Sequence, residues 1–119
     1  MPNPKRQRDI TISEPSPGTF TIDPVADIDM KNQGPGTIQW DITTYGWTFA
    51  RSNGIDFKAN ANQMQNTPGQ IPGQPNRWQA HDLNSTLPES LVTYGINAVG
   101  PGGATASVDP TIINGHNLA

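Results

Sequence analysis

The residue types that form catalytic triads occur together in one short stretch of the chain. His81 is followed by Asp82, and Ser85 lies four positions after His81. On an extended strand His81 and Ser85 would be about 13 Å apart, at about 3.3 Å per residue, so these side chains cannot converge as nucleophilic catalysis requires. The chain also has no Gly-x-Ser-x-Gly nucleophile elbow. The sequence therefore predicts a protein that is not an enzyme.

Carboxylates and histidines are the residues that could bind a metal ion. Asp27 and Asp29 share one face of a short segment, and Asp41 could join them from a neighbouring strand in a calcium site. All three lie opposite apolar residues, so an ordinary exposed face also explains them. His81 and His116 would need a carboxylate to complete a site. We expect no metal and no cofactor, although the sequence leaves open whether the three aspartates bind a cation.

Two further sources of chemistry are absent or unsuitable. The chain has no cysteine, which excludes disulfide frameworks, thiolate metal centres and cysteine nucleophiles. Gly100–Gly103 is glycine-rich, but neither a Gly-Lys-Ser/Thr sequence nor a helical pattern follows it, as a phosphate-binding loop requires. A hairpin turn accounts for this segment.

The main structural pattern of the chain is an alternation of apolar and polar residues. It occurs in residues 27–31, 37–43, 45–49, 55–57, 92–98 and 104–108. In the clearest case Ile38, Trp40 and Ile42 share one face, which we predict to be core, together with Tyr45 and Trp47 from the next segment. One apolar face and one polar face are typical of antiparallel strands with one side in water.

Turn residues separate the alternating segments. Asn53-Gly54 and Gly100–Gly103 each lie between two such segments and are typical of tight hairpins. The spacing predicts an all-β fold, an antiparallel β-sandwich of about 7–8 short strands. In strand number and turn spacing, residues 9–113 resemble small immunoglobulin-like or cupredoxin-like sandwiches. The copper ligands of a cupredoxin cannot carry over, because their cysteine is absent here.

The length of 119 residues predicts one domain. Residues 1–8 carry three of the seven basic residues and are expected to form a flexible arm, with residues 9–113 as the domain and 114–119 as a tail. From Asp9 onward there are four basic and ten acidic residues, so we expect no nucleic-acid partner. No apolar stretch is long enough for a membrane span or a secretory signal. This predicts a cytoplasmic protein and leaves signal-independent export open.

One segment, residues 60–76, lacks charge and is almost free of apolar residues. We interpret it as one long polar loop, because connections of this length in a compact domain are usually functional or disordered. Trp78 follows directly and could stack on a sugar ring or anchor a partner. The predicted binding residues at this loop and its exit are Gln70, Gln74, Asn76, Arg77 and Trp78.

These features favour a non-catalytic binding or assembly module that self-associates or docks onto a protein partner. The alternative is a small carbohydrate-binding, lectin-like protein that binds its sugar with or without the help of calcium. The two differ in their ligand, so a glycan array with and without calcium would separate them. Light scattering would test self-association.

Overall fold

The computed structural model of the protein describes residues 5–23, 25–85 and 89–115. In this part of the chain the regular structure consists of twelve strands and two single 3₁₀ turns, without an α-helix. The strands are β1 Lys5–Ile10, β2 Ile12–Ser16, β3 Thr19–Ile22, β4 Ile28–Asp29, β5 Gly36–Ile42, β6 Thr48–Phe49, β7 Ile55–Phe57, β8 Met64–Ile71, β9 Gln74–Asp82, β10 Ser90–Val99, β11 Thr105–Val108 and β12 Thr111–Asn114. The prediction of an all-β protein is confirmed.

The strands form two larger sheets and a separate hairpin. The first sheet has the order β1-β5-β9-β8, and the second has the order β11-β10-β12-β4, with β6 and β7 also paired to β10. Strands β2 and β3 form the hairpin. In the first sheet β5 pairs antiparallel with β9, which places Trp40 opposite Trp78. Within the described residues no helix has the length and apolar character needed to cross a membrane.

The core contains an aromatic cluster that joins the two larger sheets. Trp40 of β5 packs against Tyr94 of β10, with ring centroids 5.4 Å apart, and against Phe57 of β7 at 6.3 Å. The Trp40 indole Nε1 donates a hydrogen bond to Tyr94 Oη at 3.2 Å, so the polar atoms of both rings are satisfied inside the core. Burial raises the pKa of the Tyr94 hydroxyl to about 12. The predicted core positions Ile38, Trp40, Ile42 and Trp47 are all buried.

Strand number and direction differ from the sequence-based prediction. Several short pairings, such as β4 and β6 with two residues each, raise the number of strands above the expected 7–8. Two pairs are parallel, β1 with β5 and β4 with β12, so the sheets are not purely antiparallel. Residue alternation gives the face of a side chain but not the direction of the neighbouring strand, which explains the difference.

The expected arm and tail differ from the structure in the described part of both ends. Residues 5–8 are not an arm but the first part of β1, where Arg8 donates hydrogen bonds to the carbonyls of Gln7 at 3.1 Å and Asp27 at 3.3 Å. Asn114 is the buried last residue of β12 rather than the start of a tail. Residues 1–4 and 116–119, including His116, lie outside the described residues.

The expected long polar loop is also wrong. Most of residues 60–76 form the β8–β9 hairpin, whose turn contains Pro72 and Gly73, the latter at a φ of 77° that favours glycine. Strand β8 lies at the edge of its sheet, and several of its side chains are exposed. Backbone hydrogen bonds therefore hold it in the sheet without the apolar alternation on which the sequence-based prediction depended.

Candidate functional site

Trp78, the predicted ligand anchor, is a core residue in the structure. Its side chain is 4% exposed and packs edge-on against Phe49, with ring centroids 5.6 Å apart. The indole Nε1 donates a hydrogen bond to Asn66 Oδ1 at 2.6 Å. A Cβ atom at Gly54 would lie 2.7 Å from Trp78 Cζ3, so the ring is closely enclosed. No face of this indole is free to stack on a ligand.

Arg77 belongs to a hydrogen-bonded network on the first sheet. Its Nε lies 2.8 Å from Asp41 Oδ1, and Gln7 Nε2 donates to Asp41 Oδ2 at 2.6 Å. Gln39 Nε2 also donates to this carboxylate, at 3.2 and 3.3 Å. Burial opposes ionisation of Asp41, but the hydrogen bonds from Arg77, Gln7 and Gln39 together outweigh it and lower the Asp41 pKa. Both charges are therefore engaged within the sheet.

The other three predicted binding residues have different surroundings. Gln70 Nε2 donates to the carbonyls of Phe49 at 3.3 Å and Pro75 at 3.0 Å, so it supports the hairpin. Gln74 is exposed at the start of β9. Asn76 is exposed and donates from Nδ2 to the carbonyl of Ile42 at 3.2 Å, at the end of β5. Of the five residues, Asn76 lines the surface depression described next.

This depression, open to solvent, lies where β5 ends and has a volume of about 390 Å³. Its lining consists of Ile42, Thr43, Thr44, Tyr45, Gly46, Trp47, Thr48 and Asn76. None of these residues is charged. The Tyr45 side chain is 98% exposed, although the alternation of residues 45–49 predicted it to be core. We call residues 43–48 the Tyr45 loop.

A tight turn explains why Tyr45 points away from the core. The Trp47 N–H donates to the carbonyl of Thr44 at 3.2 Å, and Gly46 has a φ of 85°. A positive φ at the third of four residues is typical of a type II turn, whose second residue, here Tyr45, is at the outer corner. Gly46 was the sequence signal for this turn, but the aromatic alternation across it suggested a continuous strand.

Neighbouring strands hold the N-terminal end of the Tyr45 loop. Thr43 donates to the carbonyl of Ile10 through both its N–H at 2.9 Å and its Oγ1 at 3.2 Å. The Ile12 N–H donates to Thr44 Oγ1 at 2.8 Å. These bonds connect the loop to β1 and β2, so its backbone is ordered before any ligand arrives.

Trp47 forms the floor of the depression. It is buried and packs against Phe20, with ring centroids 5.1 Å apart. A Cβ atom at Gly100 would lie 2.6 Å from Trp47 Cζ2, so the indole covers the backbone of the next turn closely. The floor of the depression is therefore a closely packed core side chain.

The three aspartates considered for a cation do not come together. Asp27 and Asp29 are exposed near β4, and Asp29 Oδ1 accepts a hydrogen bond from the Lys31 N–H at 3.0 Å. Asp41 is held in the network with Arg77 on the first sheet. Among the described residues no group of three or more histidine or carboxylate side chains has an arrangement that could hold a metal ion.

The chain was also compared with known proteins. No protein-family model matches it, and no curated protein matches it either.

Proposed function

We propose that this protein is a non-catalytic binding module that docks onto a partner protein through the Tyr45 loop. The observation that carries this proposal is the 98% exposure of Tyr45 at an uncharged depression. A fully exposed tyrosine gains far more buried surface on binding than any other side chain of this region. Tyrosine is also among the residues most often found as energetic anchors at protein interfaces.

The composition of the loop supports recognition of a protein. Three threonines, a tyrosine, a glycine and an asparagine line the depression together with Ile42 and Trp47, and tyrosine, glycine and asparagine are also enriched in antibody binding loops. There tyrosine supplies rigid contact area, and small polar residues supply adaptable hydrogen bonds. Because Thr43 and Thr44 are already bonded to neighbouring strands, little ordering entropy would be lost on docking. The absence of charge in the lining favours a partner surface that is itself uncharged.

The edges of the first sheet support a loop-mediated contact over strand addition. In the described first sheet the outer strands are β1 and β8. Strand β1 carries Arg6 and Arg8, and β8 contains Pro68. Charged side chains and proline both disfavour pairing with another strand. The module in this proposal is an immunoglobulin-like or cupredoxin-like sandwich, a view supported by the packing of Trp40 from one sheet on Tyr94 from the other.

A neutral glycan is the second candidate ligand. Exposed Tyr45 offers a ring face for the C–H groups of a sugar, while the threonine hydroxyls and the Asn76 amide offer hydrogen bonds. The uncharged lining suits a sugar without carboxylate or phosphate groups. A calcium requirement is not expected at this depression, because no carboxylate lines it.

The test compares Tyr45→Ala with Leu91→Ala. Leu91 is an exposed apolar residue of β10, 49% accessible, and serves as the matched control. A protein captured from lysate by the wild type is purified, and its affinity is measured by calorimetry. We expect Tyr45→Ala to weaken binding at least tenfold, corresponding to about 1.4 kcal/mol or more, and Leu91→Ala to leave it unchanged.

Three results would contradict the docking proposal in different ways. Equal affinity of both variants would place the contact outside the Tyr45 loop. Binding of neutral oligosaccharides on a glycan array, lost in Tyr45→Ala, would favour the second candidate. A molar mass of two or more chains by light scattering, reduced to one chain in Tyr45→Ala, would identify self-association as the use of this surface.

A further inference from the structure

A buried polar cluster lies at the opposite end of β5 from the Tyr45 loop. Asp82, the last residue of β9, pairs with Gly36 at the start of β5, whereas the Tyr45 loop follows the other end of that strand. Asp82, Asn84 and Asn114 are each at most 1% exposed. A buried carboxylate requires compensation from hydrogen bonds or a counter-charge.

Asn84 connects this cluster to two other segments of the chain. Its Nδ2 donates to the carbonyls of Met30 at 2.6 Å and Gly34 at 3.0 Å, in the connection from β4 to β5. Its Oδ1 accepts from the Gly115 N–H at 2.9 Å, just after β12. The cluster therefore holds together the ends of β9 and β12 and the β4–β5 connection.

The hydrogen bonds of Asp82 are unequal between its two oxygens. Oδ1 accepts from Asn114 Nδ2 at 2.8 Å and from the Asn84 N–H at 3.0 Å. Within the described part of the chain, Asp82 Oδ2 has no hydrogen-bond partner, and neither does Asn114 Oδ1. Both atoms are buried acceptors on side chains that already touch. An ionised carboxylate would leave both buried acceptors unsatisfied, which is unfavourable because neither regains the hydrogen bonds it made with water.

We propose that Asp82 is a neutral carboxylic acid in the folded protein, with its proton on Oδ2 and donated to Oδ1 of Asn114. An acid and a primary amide are complementary in this arrangement. The amide N–H meets one acid oxygen, and the acid O–H meets the amide oxygen. One proton then satisfies both unpaired atoms. The acid–amide pair is a pH-sensitive latch between β9 and β12.

The electrostatic surroundings agree with this geometry. Burial raises the pKa of Asp82, and this effect outweighs the hydrogen bonds from Asn114 and Asn84 and the influence of neighbouring His81, which all lower it. The residues that pair with Asp82 on the adjacent strands are Gly36 and Met64, and neither carries a charge. No ion pair involves Asp82 in the described residues.

The acid–amide pair predicts the direction in which the stability of the protein changes with pH. The folded pKa of Asp82 lies above its ordinary value of 3.8, so folding retains a proton that the unfolded chain releases. The stabilisation is fully present below the unfolded pKa and is lost as the pH rises through the folded pKa. Over that window the unfolding equilibrium constant of the wild type should rise up to about tenfold per pH unit relative to a variant without the acid.

The matched variant is Asp82→Asn, whose Nδ2 replaces the protonated Oδ2 as donor to Asn114. Urea unfolding is measured from pH 2 to pH 9, so that the range extends below the ordinary carboxyl pKa of 3.8 as well as above it. We expect Asp82→Asn to gain stability over the wild type as pH rises. Asp41→Asn is the control of opposite sign, because the Asp41 pKa is lowered. As pH falls, the wild type should lose stability relative to Asp41→Asn.

A pH-independent difference between the wild type and Asp82→Asn would overturn the proposal. Destabilisation by Asp82→Asn at every pH, together with a loss of wild-type stability on adding EDTA, would instead indicate an ionised Asp82 that holds a cation. If Asp82→Asn does not fold, ¹³C NMR titration of the Asp82 Cγ in the wild type decides. A midpoint above 3.8 supports the proposal, and one at or below 3.8 contradicts it.

Discussion

The β8–β9 hairpin and the Tyr45 loop have exchanged the roles that their sequences suggested. Trp78 follows a polar, proline- and glycine-containing segment, yet it is 4% exposed; Tyr45 belongs to an apolar alternation, yet it is 98% exposed. The hairpin and the Tyr45 loop border the same depression, since Asn76 of β9 lines it and donates a hydrogen bond to the carbonyl of Ile42 at the end of β5. The exposure of an aromatic residue was therefore decided by the backbone around it.

The backbone acts differently in the two regions. In the hairpin, β9 lies between β5 and β8, so Trp78 has a paired strand on each side. In the Tyr45 loop the ladder has ended, and the turn closed by Thr44 and Trp47 directs the ring outward. A strand can thus bury an aromatic residue within a polar sequence, and a turn can expose one within an apolar sequence.

The strongest test of this comparison replaces residues 61–75 by a short Gly-Asn turn. If these residues were a loop, the protein would fold with a similar melting temperature. Because they contain β8 and Asn66, the replacement should expose Trp78 and abolish cooperative unfolding, as followed by near-ultraviolet circular dichroism. As a control, two glycines inserted after Gly73 lengthen only the turn and should cost about 0.6 kcal/mol or less. A chimera that folds normally would restore the loop interpretation.

The next largest effect is expected for Trp78→Ala. Removal of an enclosed indole that packs on Phe49 should lower the free energy of unfolding by about 3–5 kcal/mol, measured with urea. The neighbouring Arg77→Ala is the control, because its partly exposed pair with Asp41 should be worth about 1 kcal/mol or less. Equal losses from both variants would mean that the Trp78 side chain is not part of the core.

The sequence was sufficient for residues with one dominant physical constraint. Ile38, Trp40 and Ile96 are all fully buried, as their alternation predicted, because an apolar strand face has no alternative to burial. Strand β8 was not predicted because its attachment to the sheet depends on backbone hydrogen bonds and on the Asn66–Trp78 contact. Neither of these produces a recognisable pattern in the local sequence. The strand formed by residues 5–8 was not predicted for a similar reason, since its pairing partner, β5, lies about thirty residues away in the chain.

The candidate site was predicted only in part. Of the five residues proposed from the sequence, Asn76 lines the depression, whereas Trp78 and Arg77 are engaged inside the sheet. Tyr45 was misassigned because a period of two does not show where a strand ends. Gly46 marks a turn, whereas Gly95, also inside an alternating segment, lies within β10 beside the fully buried Tyr94. A glycine in such a segment therefore does not by itself distinguish a turn from a strand.

A smaller effect is expected for Asn66→Ala, which tests how the hairpin holds its indole. Asn66 accepts from Trp78 Nε1 at 2.6 Å and donates from Nδ2 to the carbonyl of Ile55 at 3.2 Å. Its truncation leaves both partners without this side chain and should cost about 1–3 kcal/mol. Asn62→Ala, at an exposed position before β8, should stay within about 0.5 kcal/mol of the wild type. A cost for Asn66→Ala no larger than that of Asn62→Ala would remove the polar link from the explanation of Trp78 burial.

The smallest effect on stability should come from Tyr45→Ala, at the other side of the comparison. A ring that is 98% exposed loses almost no buried surface when it is removed, so the free energy of unfolding in urea should change by about 0.5 kcal/mol or less. Gly100→Ala is the contrasting variant in the same region, because a Cβ there would lie 2.6 Å from Trp47 Cζ2 and must displace the floor of the depression. We expect it to cost about 1–3 kcal/mol. If Tyr45→Ala destabilises the protein as much as Gly100→Ala, the Tyr45 ring is packed against the protein rather than exposed. That result would contradict the proposal that the Tyr45 loop is a binding surface. If only Gly100→Ala destabilises, any loss of partner affinity in Tyr45→Ala belongs to the contact itself, since the fold beneath it is unchanged.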